Sequence, residues 1–404
     1  MRFVARFAWA RTAISLLLIA VSIDASNAGA EASLKIGVLT DMNGPLSAYF
    51  GAGSVAAAKL AVEDFGPTVL GRTIEVISAD HQNKPDAALG ILRQWFDVEG
   101  VDAVADLGNS AVALAAQNLV RDKNRVALFT GASTIRLTQE NCSPNGVQWG
   151  HDVHMFSHGA PKGILAKGGK TWFLVVVDYV FGKDLEAQTK QVIEESGGKV
   201  LGVVHHPLNT SDFSSFLLQA QGSGAQVIGL LNSVQDLANS IKQANEFQIT
   251  PSQQLAALAF TLPDVRALGL GVAQGITYSE PFYWDRNDET RAFAQRIFKQ
   301  TGSMPTGAHA AIYSAVLHYL KAVEKSGTTD GGKVVETMKE LPVDDMYVHG
   351  GIVRADGRLL MPVYLLQVKK PDESTGGWDL DKVIATVPAS EAWAPPSAAC
   401  SLVR

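Results

Sequence analysis

Val126-Ala-Leu-Phe-Thr-Gly-Ala-Ser-Thr-Ile-Arg-Leu-Thr138 is the stretch on which the reading of this chain turns. Four residues of buried-strand type run into a Gly131-Ala132-Ser133-Thr134 corner, and a short helical start follows. Residues this small let a ligand reach the backbone, and the Ser133 and Thr134 hydroxyls add donors beside any free N–H groups. Such a corner, at the carboxyl end of a strand in an open α/β sheet, is where small anions and polar ligands are held. The plainer reading is a strand-to-helix turn whose Ser or Thr caps the helix. The rest of the chain decides between them.

Outward from this stretch, strands and helices alternate. Upstream, strands are expected at Leu34–Thr40, Ile74–Ile77 and Val101–Leu107, with helices at Gly53–Phe65, Pro85–Val98 and Ser110–Arg121. This is the pattern of a parallel sheet with crossover helices. It restarts downstream with strands at Trp172–Val177, Val200–His205, Gln226–Leu231 and Gln254–Phe260. The helices between and after them are Gly182–Ser196, Asp212–Gln221 and Val234–Asn245. Two helical stretches, Asp288–Gln300 and Thr306–Lys325, have no strand of their own and need a sheet to cover, the first being the natural one. Gly350–Val368 has hairpin character around Asp356-Gly357. Two similar α/β lobes crossed more than once by the chain make a hinged clamshell. The expected N-terminal lobe takes 31–154 and 281–345. The C-terminal lobe, with the tail, takes 155–280 and 346–404.

At 404 residues the chain can bury two cores, and 47% hydrophobic against 18% charged residues places it among folded proteins. Residues 1–30 read as a secretory signal peptide: Arg2, Arg6 and Arg11 precede an apolar run, Thr12–Ile23, and Ala28-Gly29-Ala30 offers a small-residue cleavage site. Of the 34 Lys+Arg and 40 Asp+Glu, a cut after Ala30 leaves 31 and 39, a net charge of −8. No Lys/Arg block remains to suggest nucleic acid. The expected product is an exported, soluble, mildly acidic protein. Its two cysteines, Cys142 and Cys400, read as one disulfide in an oxidising compartment, tying the tail to mid-chain.

Motifs for other chemistry fail on inspection. Gly169-Lys170-Thr171 resembles the end of a phosphate loop, but the glycine required five positions earlier is Ile164. His151, Asp152, His154 and His158 cluster without the spacing of a metalloprotease, so no metal is expected there. There is no Gly-x-Ser-x-Gly elbow and no placed pair of carboxylates, so nothing argues for an enzyme. What remains is a set of strand ends facing a cleft. On one wall stand Asp106-Leu-Gly-Asn-Ser110 and Gly131-Ala-Ser-Thr134, with Tyr49 and Phe50 on the first loop. Across from them stand Asp178-Tyr-Val-Phe181, Leu231-Asn-Ser233 and Phe260-Thr261. Small polar groups facing aromatic rings suit a ligand with an anionic head and an apolar body.

The chain at this point resembles the leucine/isoleucine/valine-binding protein family, the type I periplasmic receptors of ABC importers. The carrying segments are Ile36-Gly-Val-Leu-Thr-Asp-Met-Asn-Gly-Pro45, Gly53–Asp64, Gly131-Ala-Ser-Thr134, Asp178-Tyr-Val-Phe-Gly182 and Phe213–Gly222. The likeness spans nearly all of 34–368, and order and spacing carry it. The resemblance implies two Rossmann-like α/β lobes with parallel sheets joined by a three-segment hinge, and closure on a small-molecule ligand. It also implies a membrane permease as partner, a periplasmic location, and a monomer with no cofactor or metal. By the same resemblance Asn109, beside Ser110, matches a serine that holds the ligand carboxylate. Gly131, Ala132, Ser133 and Thr134 match backbone and hydroxyl contacts to that group. Either Tyr179 or Phe181 matches the aromatic of the opposite lobe, and Asn232 and Phe260-Thr261 fall near positions that contact the ammonium or side chain; Tyr49, on the loop after the first strand, is a further candidate. Where amino-acid binders place a carboxylate for the ammonium, this chain has Phe260 and Thr261. An aromatic carboxylate is therefore expected over a branched-chain amino acid, against an aromatic wall of Tyr49, Phe50, Trp149, Tyr179, Phe181 and Tyr283. The alternative is a ligand-sensing receptor subunit signalling to a membrane partner.

Overall fold

A computed structural model describes Met1, Arg2, residues 32–250 and residues 252–403. The rest of the expected signal peptide, with its cleavage site, lies outside the described residues. Among the described residues, no helix is long and apolar enough to cross a membrane.

Strand and helix alternate from the start: β1 (Leu34–Thr40), α1 (Gly51–Phe65), β2 (Thr68–Val69), β3 (Arg72–Asp80), α2 (Pro85–Gln94), β4 (Val101–Asp106), α3 (Ser110–Asp122), β5 (Val126–Phe129) and β6 (Gly146–Gln148). These strands form one sheet in the order β2-β3-β1-β4-β5-β6, parallel except where β2 returns against β3. Helices α4 (Val153–His158) and α5 (Ala160–Ala166) lead to a second series. It runs β7 (Thr171–Val177), α6 (Val180–Glu195), β8 (Lys199–His206), α7 (Ser214–Gly222), β9 (Val227–Ser233), α8 (Val234–Glu246) and β10 (Gln254–Ala259). Its four strands are parallel in the order β10-β9-β7-β8. The protein is thus α/β with two lobes, each on a parallel sheet.

The remaining chain is α9 (Leu262–Leu268), α10 (Leu270–Ala273), β11 (Thr277–Glu280), α11 (Asp288–Thr301), α12 (Gly307–Ser326), α13 (Gly331–Glu340), β12 (Val343–Asp344), β13 (His349–Val353), β14 (Leu359–Leu360), β15 (Val363–Val368), β16 (Asp381–Val387) and α14 (Ala389–Ala392). Strands β11, β15 and β16 form one small antiparallel sheet, and β12, β13 and β14 another. The hairpin expected at Asp356-Gly357 joins β13 to β14. Cys142 and Cys400 are joined.

The physical reasons are ordinary ones. β7 is covered on both faces, so Trp172–Val177 reads as an unbroken apolar run and is buried throughout. α12 is buried on nearly every side, as its all-round apolar sequence requires. It lies along α1 and reaches β4 and β5. Gly53 permits this approach, because a Cβ there would stand 2.2 Å from the His309 ring. The same end of α12 grips the neighbouring loop: His309 Nε2 bonds the Phe50 carbonyl at 2.7 Å, and Thr306 Oγ1 donates to the Tyr49 carbonyl at 2.8 Å. The cap of α12 thereby fixes the loop after β1.

The helical start read after Thr134 amounts to one 3-10 turn, Ile135–Thr138. Thr134 Oγ1 accepts the Arg136 N–H at 3.3 Å, and the chain leaves helical geometry at Gln139. Strands β6, β11 and β16, which pair with partners distant in sequence or only briefly, carry no readable signal of their own.

Candidate functional site

In the first sheet β1 lies between β3 and β4, so the connections after β1 and β4 leave in opposite directions and open a crevice at their carboxyl ends. In the second, β7 lies between β8 and β9 in the same way. A cavity lies where these ends meet, with about 380 Å³ of empty space counting its opening to solvent. Leu46, Tyr49 and Phe50 line it from the loop after β1, Gly108 and Ser110 from β4, and Gly131 and Ser133 from β5. His151 and Phe156 come from the segment after β6. Tyr179, Phe181, Ser233, Val234, Ala259 and Thr261 come from the ends of β7, β9 and β10.

The first wall is built by a strained exit from β4. Asp106 and Leu107 both have positive φ, 77° and 56°, which turn the chain sharply into α3. The Asn109 side chain accepts the Ala111 and Val112 N–H groups at 2.9 and 3.3 Å, so its oxygen caps α3 and does not line the cavity. Ser110, the first residue of the helix, faces inward in its place. Among the described residues, no group of the chain hydrogen-bonds the N–H or hydroxyl of Ser110, nor the N–H or hydroxyl of Ser133. Two serines at a helix start and a strand end thus present unused donors. Gly131 has no substitute here: a Cβ would lie 2.5 Å from the Phe50 ring and 2.7 Å from the Gly108 Cα.

Ala132 and Thr134 do not line the cavity. The Ala132 and Thr134 carbonyls both accept from Gln148 Nε2, and Thr134 Oγ1 donates to Asp184 at 2.5 Å. On the opposite wall Tyr179 and Phe181 both face in, 5.8 Å apart, so the choice between them dissolves. Asn232 and Phe260 do not line the cavity. Asn232 Nδ2 lies 3.2 Å from His206 Nε2 and 3.4 Å from Ser240 Oγ; Phe260 is buried against Tyr278. Their neighbours Ser233 and Thr261 take the inward positions. Val234 stands at φ 49°, a strained conformation for a β-branched residue, where the wall turns into α8. Trp149 and Tyr283, also expected on the aromatic wall, are buried elsewhere: Trp149 bonds Ser314 at 3.0 Å and Tyr283 the Asp381 carbonyl at 2.8 Å.

Two features were not legible. An acid does stand three residues beyond Thr261: Asp264 accepts the Thr261 N–H and hydroxyl at 2.8 and 2.5 Å in the cap of α9. It stands behind the wall, where burial raises it to about 7. The second is a chain of buried groups. His151 Nδ1 lies 3.2 Å from the Tyr49 hydroxyl, which lies 3.1 and 3.2 Å from the two Glu280 oxygens. Burial drives Glu280 well above the usual carboxylate range, with Asp264 and Asp381 adding to it and Tyr49 opposing. Burial first, and the Arg358 charge second, push His151 down to about 3. The one sequence signal was a histidine two residues beyond Trp149, between the two sheets. Its cluster partners His154 and His158 stack on each other, 3.7 Å between centroids.

Taken together, the cavity has hydroxyl and N–H donors on one side and aromatic rings around it. Among the described residues no aspartate, glutamate, lysine or arginine lines it. A periplasmic binding protein family model matches residues 33–376. The Leu/Ile/Val-binding protein homolog 6 of Brucella suis is 24% identical over 377 residues, 90% of this chain and 94% of the relative. A periplasmic binding protein from Burkholderia mallei superposes with a TM-score of 0.89 at 44% identity, over 92% of this chain and 99% of the other. A branched chain amino acid ABC transporter periplasmic ligand-binding protein from Burkholderia xenovorans gives 0.80 at 40%, over 91% and 99%. This chain belongs to the periplasmic binding protein family, in its Leu/Ile/Val-binding type that serves ABC importers.

Proposed function

We propose that this periplasmic receptor carries a small carboxylate-bearing compound, an aromatic acid in preference to a branched-chain amino acid, and presents it to a membrane permease. Ser110, Gly131 and Ser133 would hold the carboxylate; Tyr49, Phe50, Phe156, Tyr179 and Phe181 would enclose the body. The observation that carries this reading is the pairing of unused donors on Ser110 and Ser133 with a lining that contains no carboxylate. An α-ammonium buried there without a charged partner costs several kcal/mol. Asn109, Thr134, Asn232 and Phe260 act one step back, by holding the chain that presents the lining residues. The lobes close on the ligand about the segments between them, and the ligand favours the closed form by its differential affinity.

The test is a thermal-shift screen of the mature chain, residues 31–404, against benzoates, phenylpropanoids, short aliphatic acids and amino acids. A ligand at a hundred times its Kd adds about 2.7 kcal/mol and moves the midpoint visibly. Shifts with aromatic acids and none with leucine, isoleucine or valine are expected. A shift with leucine comparable to that of the best acid overturns the reading.

A further inference from the structure

The cavity that would hold a carboxylate contains no fixed cation. Its lining residues offer neutral hydroxyl and N–H donors and the start of α3, whose dipole amounts to about half a charge. Of the titratable side chains in the lining, Tyr49, His151 and Tyr179, only the histidine can become positive. We propose that His151 balances the ligand's charge: as a carboxylate enters, the imidazole takes up one proton from solvent and becomes the cation of the cavity wall. This rests on the carboxylate reading above and extends it to the ligand's ionic form, a monoanion bound together with a proton.

The surroundings of the ring suit two protonation states. Nδ1 faces the Tyr49 hydroxyl at 3.2 Å, and the Gly131 carbonyl also draws on the ring. A neutral imidazole has one N–H for these two oxygens; an imidazolium has two. When Nδ1 carries a proton it donates to the Tyr49 oxygen, and the Tyr49 hydroxyl donates onward to Glu280 at 3.1 Å. The proton is gained by the ring and lost by water or buffer; the ligand stays a carboxylate.

Other titratable groups surround the ring. Tyr49 and, behind it, Glu280 lie on one side. Asp152 and Arg358, 3.7 Å from each other, stand on its own segment and on the turn before β14. Asp106 lies beneath Gly131, its Oδ1 within 2.7 Å of where a Cβ would stand, and Asp264 lies behind Thr261. Without a ligand, burial and Arg358 keep His151 near 3. An anion in contact raises that value, so affinity is greatest at low pH. It falls by about tenfold per pH unit until the pKa of the complex is passed. Burial also raises Asp106 to about 6, against the Thr40 and Ser54 hydroxyls, and Asp264 to about 7. Their ionisation weakens anion binding in the same direction, so a pH slope in the wild type does not by itself assign the proton.

The experiment is calorimetric titration of the mature protein with benzoate from pH 5 to 8, in buffers of different ionisation enthalpy, for wild type, His151→Gln and Tyr49→Phe. The wild type is expected to take up a proton on binding, in a fraction that grows as the pH falls from 8 to 5. His151→Gln should bind more weakly at pH 5.5 and lose that proton. Tyr49→Phe keeps the ring and the wall but removes the Nδ1 partner, and should take up a smaller fraction at the same pH. A wild type that binds benzoate with no linked proton overturns the proposal while leaving the carboxylate reading intact. So does a His151→Gln variant with the full proton count, which would move the linkage to Asp106 or Asp264. Failure of every acid in the panel to bind at any pH, or benzamide binding as tightly as benzoate, removes the carboxylate reading and this proposal with it.

Discussion

Asp184→Asn should weaken ligand binding from outside the cavity. Asp184 lies on α6, after the first strand of the four-stranded sheet, yet both its oxygens are taken by residues between β5 and β6 of the six-stranded sheet. Thr134 Oγ1 donates to Oδ2 at 2.5 Å, and Arg136 Nη2 donates to Oδ1 at 2.5 Å. One carboxylate therefore holds the Gly131–Thr134 corner to the opposite lobe. Its own side chain is 6% exposed, whereas that of Arg136 is 41% exposed. A hydrogen bond from a buried hydroxyl to a charged group contributes about 1.5–3 kcal/mol. The half-exposed ion pair adds about 0.2–1 kcal/mol after solvent screening. Asparagine keeps the shape and one acceptor, so the expected loss is about 1–2 kcal/mol, roughly a 5- to 30-fold change in an equilibrium.

The loss falls on the arrangement in which the lobes are together, because separating them breaks both contacts in wild type and variant alike. If ligand binds that arrangement, its apparent Kd rises by the same factor. Calorimetric titration with the best acid of the screen measures it, and small-angle scattering with and without that acid reports closure. An affinity within twofold of wild type would refute the reasoning. So would an equal loss of thermal stability with and without ligand, which would make the contact part of the static fold.

Ser133→Ala removes one of the unused donors and should cost about 1–3 kcal/mol of binding free energy, with little change in unfolding temperature. Unchanged affinity in calorimetry takes Ser133 out of the site. Cleaving the Cys142–Cys400 bridge, which closes a loop of 258 residues, should lower stability by up to about 5 kcal/mol. Scanning calorimetry of Cys142→Ser/Cys400→Ser against wild type checks this, and an unshifted midpoint would show that the tail is held by packing alone.

The inner parallel strands were legible because burial on both faces writes them as nearly unbroken apolar runs, Trp172–Val177 above all. The Gly131–Thr134 corner was legible because residues that small, at the end of such a run, have few other reasons to be there. His151 was not, since its meaning depends on Tyr49, 102 positions away, and on Glu280, 231 positions beyond Tyr49. Proximity of that kind is set by the closing of two sheets on each other, which no local pattern records.

Three of the other misses share one form. Asn109–Ser110, Asn232–Ser233 and Phe260–Thr261 were each expected at the cleft, and of each pair only the second, Ser110, Ser233 or Thr261, lines the cavity. Successive residues leaving a strand point to opposite sides, so a displacement of one position turns a side chain from cavity to core. A larger polar side chain at such a junction also has a competing use. Asn109 caps α3, and Asn232 bonds into the second core, where a bulky amide finds partners more readily than at a ligand surface. The smaller hydroxyl beside it, with no partner of its own, is left to face the cavity. At the ends of β4 and β9 the residue left facing the cavity is therefore the one whose side chain the fold has not already engaged, whereas Thr261 faces it with its hydroxyl already held by Asp264; sequence alone lists the candidates without recording which are taken.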